Sequence, residues 1–180
     1  MKSEQTVKYI SQHWHKSIRA RELSNYSDVF LQHWSERSCG LACASMIIRY
    51  FTALRPTIFE LFHKAMRHNA YSEKGWIHCK LAVLLQEYGI QAQPAAAARD
   101  DILKTLNDGK VYIASVSYMF PVNGPRGGHL VLVTRGIDVQ GKKYFTLYDP
   151  SKWGEKRRRI SVDRFMLSYS GRGIFAWDTL

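Results

Sequence analysis

Apolar residues change their spacing near residue 110, and the kind of element that the chain predicts changes with them. Upstream, helical spacing predicts helices at residues 39–51, 57–69, 77–88 and 99–106, with a short strand at 90–93. Downstream, apolar and β-branched runs predict strands at 111–116, 129–137, 144–149 and 173–177, and a helix at 162–168. Helices followed by antiparallel strands predict an α+β fold.

The chain divides into an N-terminal arm and one larger domain. Residues 1–30 are polar with scattered apolar positions, so we predict an arm or extension there and a single domain over residues 31–180. The segment His13-Trp14-His15 offers too few ligands for a metal site, and we predict that it is part of an exposed arm. With 180 residues, of which 46% are hydrophobic, the chain can bury a core without metal or disulfide bonds.

The cysteines and the N-terminal sequence bear on the cellular compartment. Three cysteines, at positions 39, 43 and 79, exclude a complete disulfide framework and indicate a reduced, cytoplasmic protein. The first 20 residues contain no continuous apolar segment typical of a signal peptide. No stretch approaches the roughly 18 apolar residues that a membrane span needs.

The charge of the chain favours acidic partners. Twenty-six basic and 15 acidic residues give a formal net charge of +11, which attracts nucleic acid, anionic membrane surfaces or acidic polypeptides. The densest basic run covers residues 152–159 and includes Trp153. We predict a solvated hairpin or loop there, with a docking surface for an acidic ligand as the alternative.

Cys39 is the candidate nucleophile because it begins the apolar helix predicted over residues 39–51. A helix N-terminus stabilises a thiolate, and Ser38 is a suitable residue to cap that helix. Gly40 permits the close approach of a substrate backbone. Cys43, one turn further along, and Cys79 are predicted to be core residues.

His129 and Asp149 are the candidate partners of Cys39. His129 opens a predicted strand directly after two glycines, and Asp149 ends the next predicted strand. If these strands form a hairpin with its turn near residues 139–143, both side chains lie at the same edge of the sheet. His129 can then act as a base whose ring Asp149 orients. A structural Asp-Pro turn is the alternative for Asp149. Gln32, seven positions before Cys39, carries an amide that can donate to an oxyanion, but chemistry alone does not distinguish it from other glutamines.

These segments together resemble a known family, the bacterial double-glycine leader peptidases that process bacteriocins and are often fused to peptide exporters. The resemblance covers about residues 30–177 and is carried by four segments: Gln32, Ser38–Ile47, Gly128–Val133 and Tyr148–Pro150. Cys39, His129 and Asp149 follow one another at intervals of 90 and 20 residues. Two features depart from the family pattern: Gln32 is one residue further from the cysteine than usual, and Ser38 stands where an acidic residue is frequent.

The resemblance implies a papain-like fold, in which an N-terminal helical half with a central nucleophile helix packs on a C-terminal antiparallel sheet. It implies that Cys39 is the nucleophile, His129 the general base, Asp149 the residue that orients the base, and Gln32 the oxyanion-hole donor. We therefore predict a cysteine peptidase that needs no metal or cofactor and acts on a peptide or protein, with leader-peptide processing as the implied role. The charge favours an acidic substrate. A membrane or transporter partner stays open, although this chain carries no transporter sequence.

Three other functions stay open from the sequence. The same triad can serve deamidation or another acyl transfer, because a fold does not fix a function. A compact basic enzyme of this type can be a toxin or effector that attacks a protein of a host or rival cell. A basic module that binds nucleic acid without catalysis is the third, and nucleic acid is the less favoured partner.

Overall fold

The computed structural model describes residues 6–13 and 26–178, which contain six helices and eight strands. The helices are α1 (Asp28–Arg37), α2 (Cys39–Phe51), α3 (Ile58–Arg67), α4 (His78–Gln86), α5 (Arg99–Asn107) and α6 (Val162–Ser168). The strands are β1 (Tyr71–Ser72), β2 (Gly75–Trp76), β3 (Gln91–Ala96), β4 (Val111–Val116), β5 (His129–Val139), β6 (Lys142–Tyr148), β7 (Arg159–Ser161) and β8 (Tyr169–Trp177). None of the helices in these described ranges has the length and apolarity to cross a membrane.

Six strands form one antiparallel sheet in the order β3-β8-β4-β5-β6-β7, and β1 and β2 form a separate small hairpin. The β5–β6 hairpin turns at Gln140 and Gly141, which both have positive φ, as a tight two-residue hairpin requires. This hairpin and the α+β fold are confirmed. In its register Leu132 faces Tyr148, so the start of β5 and the end of β6 share one edge.

Hydrophobic residues cover both faces of the sheet. On β4, Val111 and Ile113 belong to a cluster with helix α2, whereas Tyr112, Ala114 and Val116 belong to a second cluster with α5 and α6. All of β4 is therefore buried, which explains why Ser115 is its one polar residue. Helix α2 is buried from Cys39 to Ile48, so the Ala-rich helix lies at the centre of the helical half.

Three elements were not predicted from the sequence: α1, the β1–β2 hairpin and β7. Helix α1 buries only Leu31 and Ser35, so its sequence carries little helical periodicity. Its start is marked instead by Ser27, whose side chain accepts a hydrogen bond from the Phe30 amide. The three short strands contain two or three residues each, which is too few for an alternating pattern.

Part of the predicted arm packs against the domain. Val7 is buried in the cluster around α2. The Tyr9 hydroxyl donates to the Ser151 carbonyl at 3.2 Å, and the backbone amide of Gln12 donates to the Pro150 carbonyl at 2.9 Å. Trp14 and His15, with the rest of residues 1–5 and 14–25, lie outside the described residues. Residues 6–13 thus contact the loop that follows β6.

The close packing of β8 on β4 predicts that Gly173→Ala destabilises the protein. A Cβ atom at Gly173 would lie 2.1 Å from the Ile113 carbonyl oxygen, so the central strands would have to separate. We expect the free energy of unfolding, measured with urea, to fall by about 2–3 kcal/mol. Gly136→Ala is the control, because its Cβ would meet only the flexible end of Leu103 at 2.8 Å. An equal loss in both variants would contradict this account.

Candidate active site

Helix α2 begins at Cys39 and presents its sulfur at one end of the buried helix. Ser38 occupies the cap position, but its side chain makes no capping hydrogen bond to the helix; its hydroxyl instead donates to the Trp34 carbonyl at 2.6 Å. This bond joins the last turn of α1 to the start of α2. Cys39 is 7% exposed, so the sulfur lies in a largely desolvated position at the N-terminus of a 13-residue helix.

His129 is the first residue of β5 and is 7% exposed. Its Nε2 lies 2.7 Å from Oδ1 of Asp149, and the Cys39 side chain lies near enough to the ring to raise the pKa of His129. Because Asp149 occupies Nε2, Nδ1 is the ring nitrogen left for the sulfur. The structure therefore brings Cys39, His129 and Asp149 together in that order. The shared hairpin edge accounts for the meeting of the last two.

Asp149 is completely buried and is held by the loop that follows it. Its Oδ1 also accepts a hydrogen bond from the Ser151 amide at 2.9 Å. Gly154 packs directly on the carboxylate residue, since a Cβ atom there would lie only 2.2 Å from the Asp149 Cβ. Asp149 thus makes a local hydrogen bond across Pro150, and its carboxylate still reaches His129.

Residues 152–158 of the basic run form part of this loop, whereas Arg159 begins β7. Arg158 stacks its guanidinium between the rings of Tyr9 and Tyr148, at 4.4 and 5.2 Å from their centroids. Arg157 stacks on Trp153 at 4.4 Å. Such cation–π contacts stabilise a loop more than isolated surface charges do. Several cations of the run therefore have a structural role beside Asp149.

Hydrogen bonding shifts the pKa values of the buried pair in opposite directions. Burial by itself lowers the pKa of His129, but the hydrogen bond to Asp149, the nearby Cys39 side chain and the charges of both groups raise it overall. Burial by itself raises the pKa of Asp149, but the hydrogen bond from His129, its positive charge and the bonds from Ser151 lower it overall. Both shifts favour an imidazolium–carboxylate pair.

The other two cysteines occupy different environments. Cys43 is fully buried, donates from its sulfur to the Leu130 carbonyl at 3.6 Å, and burial raises its pKa well above the usual value, with the nearby Cys39 and Asp149 adding to the effect. Its prediction as a core residue is confirmed. The same prediction for Cys79 is wrong, because Cys79 is exposed at the second position of α4, where that helix borders a cleft.

A cleft of about 700 Å³ opens beside Cys39 and His129. One wall is the β1–β2 hairpin, which Trp76 holds in place. The Trp76 ring packs against Gly40 so closely that a Cβ atom there would lie 2.9 Å from the ring. The Trp76 Nε1 also donates to the Arg37 carbonyl at 2.6 Å. Beyond His129, the exposed Tyr118 ring meets the imidazole edge-on with centroids 5.7 Å apart. An extended peptide can enter such an open groove.

The structure does not bring Gln32 to this cleft. Gln32 is exposed on α1, and its Nε2 donates to the carboxylate of Glu36 at 3.2 Å. Helix α1 separates residue 32 from the start of α2 by more than one turn and turns this side chain to solvent. The geometry therefore gives no support to Gln32 as an oxyanion donor.

Gln12, which the sequence analysis missed, lies near the triad instead. It is 6% exposed, its Nε2 donates to the Glu36 carbonyl at 2.8 Å, and its backbone amide binds Pro150, the residue after Asp149. No spacing rule finds a residue 27 positions before the cysteine. A weak sequence signal was the group of apolar residues Val7, Tyr9 and Ile10 just before it.

Comparisons with known proteins show the family and the fold of the chain. A family model described as the Peptidase_C39 like family matches residues 4–174. The solved peptidase domain of Streptococcus ComA, a bi-functional ABC transporter involved in a quorum sensing pathway, is 20% identical, with a TM-score of 0.59 over 80% of this chain and 93% of that domain. Among curated proteins, none matches this chain.

Two further solved structures are similar. A double glycine motif protease from an AMS/PCAT transporter, in complex with the leader peptide, is 18% identical, with a TM-score of 0.54 over 77% of this chain and 83% of that one. A putative C39-like peptidase from Bacillus anthracis is 13% identical, with a TM-score of 0.65 over 97% of this chain and 96% of that one. At these identities the likeness confirms the predicted papain-like fold.

The buried pair predicts a defined pH window for its contribution to stability. The raised pKa of His129 gives a contribution that is complete below the ordinary histidine value of about 6.5 and is lost as pH rises. The lowered pKa of Asp149 gives a stability contribution that is complete above about pH 3.9 and is lost as pH falls. We expect the difference in unfolding free energy between wild type and Asp149→Asn to be largest between about pH 4 and 6.5.

The measurement is urea unfolding of both proteins across the pH range, with Asp163→Asn as the control. Asp163 is highly exposed and pairs with Arg99 at 3.2 Å on the surface, so its removal should have a small effect that changes little with pH. A profile for Asp149→Asn as flat as that of the control would show that the pair carries no such linkage.

Proposed function

Because this chain belongs to the Peptidase_C39-like family, we propose that it is a cysteine peptidase that hydrolyses peptide bonds with Cys39, His129 and Asp149 as its triad. The observation that carries the proposal is the 2.7 Å hydrogen bond between His129 and Asp149, beside Cys39 at the N-terminus of helix α2. Its position at the wall of an open cleft supports a peptide substrate.

The first chemical step forms a bond between the Cys39 sulfur and the substrate carbonyl carbon. His129 holds the proton that leaves the thiol, and the imidazolium together with the helix N-terminus favours the thiolate as nucleophile. The carbonyl electrons move to oxygen and give a tetrahedral oxyanion. Asp149 fixes the orientation of the ring through Nε2, so that Nδ1 faces the sulfur.

The remaining steps return the enzyme to its starting state. His129 gives its proton to the nitrogen of the leaving amine, the carbon–nitrogen bond breaks, and a thioester stays on Cys39. Water then loses a proton to His129 and attacks the thioester carbon. The carbon–sulfur bond breaks, the acid product leaves, and the sulfur regains its pairing with His129.

Gln12 is the side chain we assign to the oxyanion, together with the backbone amide of Cys39. Its Nε2 carries two hydrogens, and the Glu36 carbonyl accepts one of them, which leaves the other for a substrate oxygen. The Gln12 side chain bonds to Glu36, three residues before Cys39, and its backbone amide bonds to Pro150, directly after Asp149. Gln12 therefore connects the segments that carry Cys39 and Asp149.

The similar proteins support a leader peptide as one kind of substrate. One was solved in complex with the leader peptide, and another is a domain of a bi-functional ABC transporter. We therefore propose a peptide or protein substrate, a transporter as the partner that would supply it, and the cytoplasm as the compartment. The free thiols of Cys39, Cys43 and Cys79 support that compartment.

Peptidase activity predicts cleavage that depends on Cys39. After incubation with a peptide library, wild type and Cys79→Ala should give fragments whose masses sum to the intact peptide plus one water, as intact-mass analysis will measure. Cys39→Ala should lose at least about three orders of magnitude in rate, because the covalent route is gone. Cys79 is the matched control, since it is an exposed cysteine beside the same cleft.

The same experiment separates hydrolysis from the other acyl-transfer reactions. With a primary amine added in excess, a peptidase still gives mainly the water product, whereas an acyl transferase gives fragments that carry the amine. Cleavage by Cys39→Ala at the wild-type rate would contradict the triad altogether.

The oxyanion assignment predicts different outcomes for two glutamine variants. Gln12→Ala should lower kcat by about 10²–10³ with little change in KM, because the amide acts on the developing charge. Gln32→Ala should keep close to the wild-type kcat, since Gln32 is exposed and bonded to Glu36. Thermal unfolding of each variant checks that both are folded. Loss of kcat in Gln32→Ala alone would instead restore the role implied by the family resemblance.

A further inference from the structure

The cleft beside the triad is strongly biased toward positive charge. Four basic side chains line it, Arg37, Lys74, Arg126 and Arg172, and all four are exposed. Among the residues that the structure describes, Glu36 is the one acidic side chain in the lining, and it already accepts a hydrogen bond from Gln32. None of the four basic groups pairs with a carboxylate of a described residue within 4.0 Å.

These four groups come from four separate segments around the cleft. Arg37 ends α1 just before Cys39, and Lys74 lies in the turn between β1 and β2. Arg126 lies in the loop that leads to His129, and Arg172 lies in β8 opposite Ala96 of β3. The positive charge therefore surrounds the cleft, and its protein walls strengthen the field inside.

The state of His78 supports the direction of this field. Burial lowers the pKa of His78, and the positive charge of Arg172 lowers it further. His78 lines the cleft at the start of α4, so the guanidinium of Arg172 acts on the cleft wall and not only on the outer surface. The lowered pKa favours the neutral form of the His78 imidazole.

The rest of the lining leaves room for a peptide main chain. Ala95, Ala96, Gly127 and Gly128 contribute little or no side chain, and a Cβ atom on Gly128 would meet nothing within 4 Å. The main chain of a bound peptide can therefore lie close to the sheet, while the peptide's side chains extend toward the four basic residues. A segment bearing carboxylates satisfies both features.

We propose that the cleft selects peptides that carry Asp or Glu residues beside the scissile bond, and that Arg172 and Lys74 determine this preference. The inference rests on the proposed function, since it specifies the substrate of the same site. The +11 net charge of the chain would assist the approach of such a peptide, and the effect is expected to weaken as salt screens the charges.

The test measures binding and cleavage separately. Fluorescent peptides of equal length, flanked at the scissile bond by Asp/Glu, Asn/Gln or Lys/Arg, are titrated against Cys39→Ala, and their kcat/KM values are measured with wild type. We expect the acidic peptide to bind most tightly. Adding Arg172→Glu or Lys74→Glu should weaken its binding about five- to thirty-fold, because an attraction becomes a repulsion at each partly solvated contact.

Lys143→Glu is the matched control, since it makes the same change of charge on an exposed residue at the far end of the β5–β6 hairpin. Lys143 faces Asp138, which lies nine positions after His129 along β5. At about 3.3 Å per strand residue, Lys143 is therefore roughly 30 Å from the triad. Its effect should be small at ordinary salt, because that distance exceeds the Debye length of about 10 Å.

The outcomes separate this inference from the peptidase proposal. Equal binding of the acidic and neutral peptides, or an equal loss in Lys143→Glu, overturns the acidic preference whether or not peptides are cleaved. Preferential binding of the acidic peptide without any Cys39-dependent cleavage would overturn the peptidase function and still support the preference. Acidic preference that disappears in both cleft variants supports the inference in full.

Discussion

The buried hydrogen bond between His129 and Asp149 is the constraint on which the site depends. A completely buried carboxylate is costly unless it is paired and hydrogen-bonded. Oδ1 accepts hydrogen bonds from the imidazole at 2.7 Å and from the Ser151 amide, and Gly154 packs directly onto the residue, whereas Oδ2 is buried without a hydrogen-bond partner among the described residues. Removing one partner would leave an unpaired charge in the core. The position of the loop, the hairpin edge and the orientation of the His129 ring therefore all depend on this pair.

The large positive charge of the chain has two separate uses in the structure. In the loop after Asp149, arginines stack on aromatic rings, as Arg158 does between Tyr9 and Tyr148. Around the cleft, Arg172 and Lys74 stay without a carboxylate partner among the described residues. The arginines of the loop stabilise the segment that holds Asp149, whereas Arg172 and Lys74 are available to bind a ligand. Net charge alone cannot distinguish these two uses.

The N-terminal segment connects the two sides of the site. Residues 6–13 form no helix or strand, yet Val7 is buried and Gln12 bonds both to the Glu36 carbonyl before helix α2 and to the Pro150 carbonyl after Asp149. Side-chain and main-chain bonds of one residue therefore hold together segments more than 100 positions apart in sequence. A glutamine in this position adds a polar group where the helical half meets the sheet.

The sequence by itself determined the features that arise from local periodicity and hairpin register. The apolar run placed Cys39 at the start of a buried helix, and the β5–β6 hairpin brought His129 beside Asp149, because a strand's start must face its partner's end. Only the tertiary structure decided that Gln12 and not Gln32 lies near the triad, that Cys79 is exposed, and which cations line the cleft. Those features depend on how distant segments pack against one another, and no spacing along the chain encodes that packing.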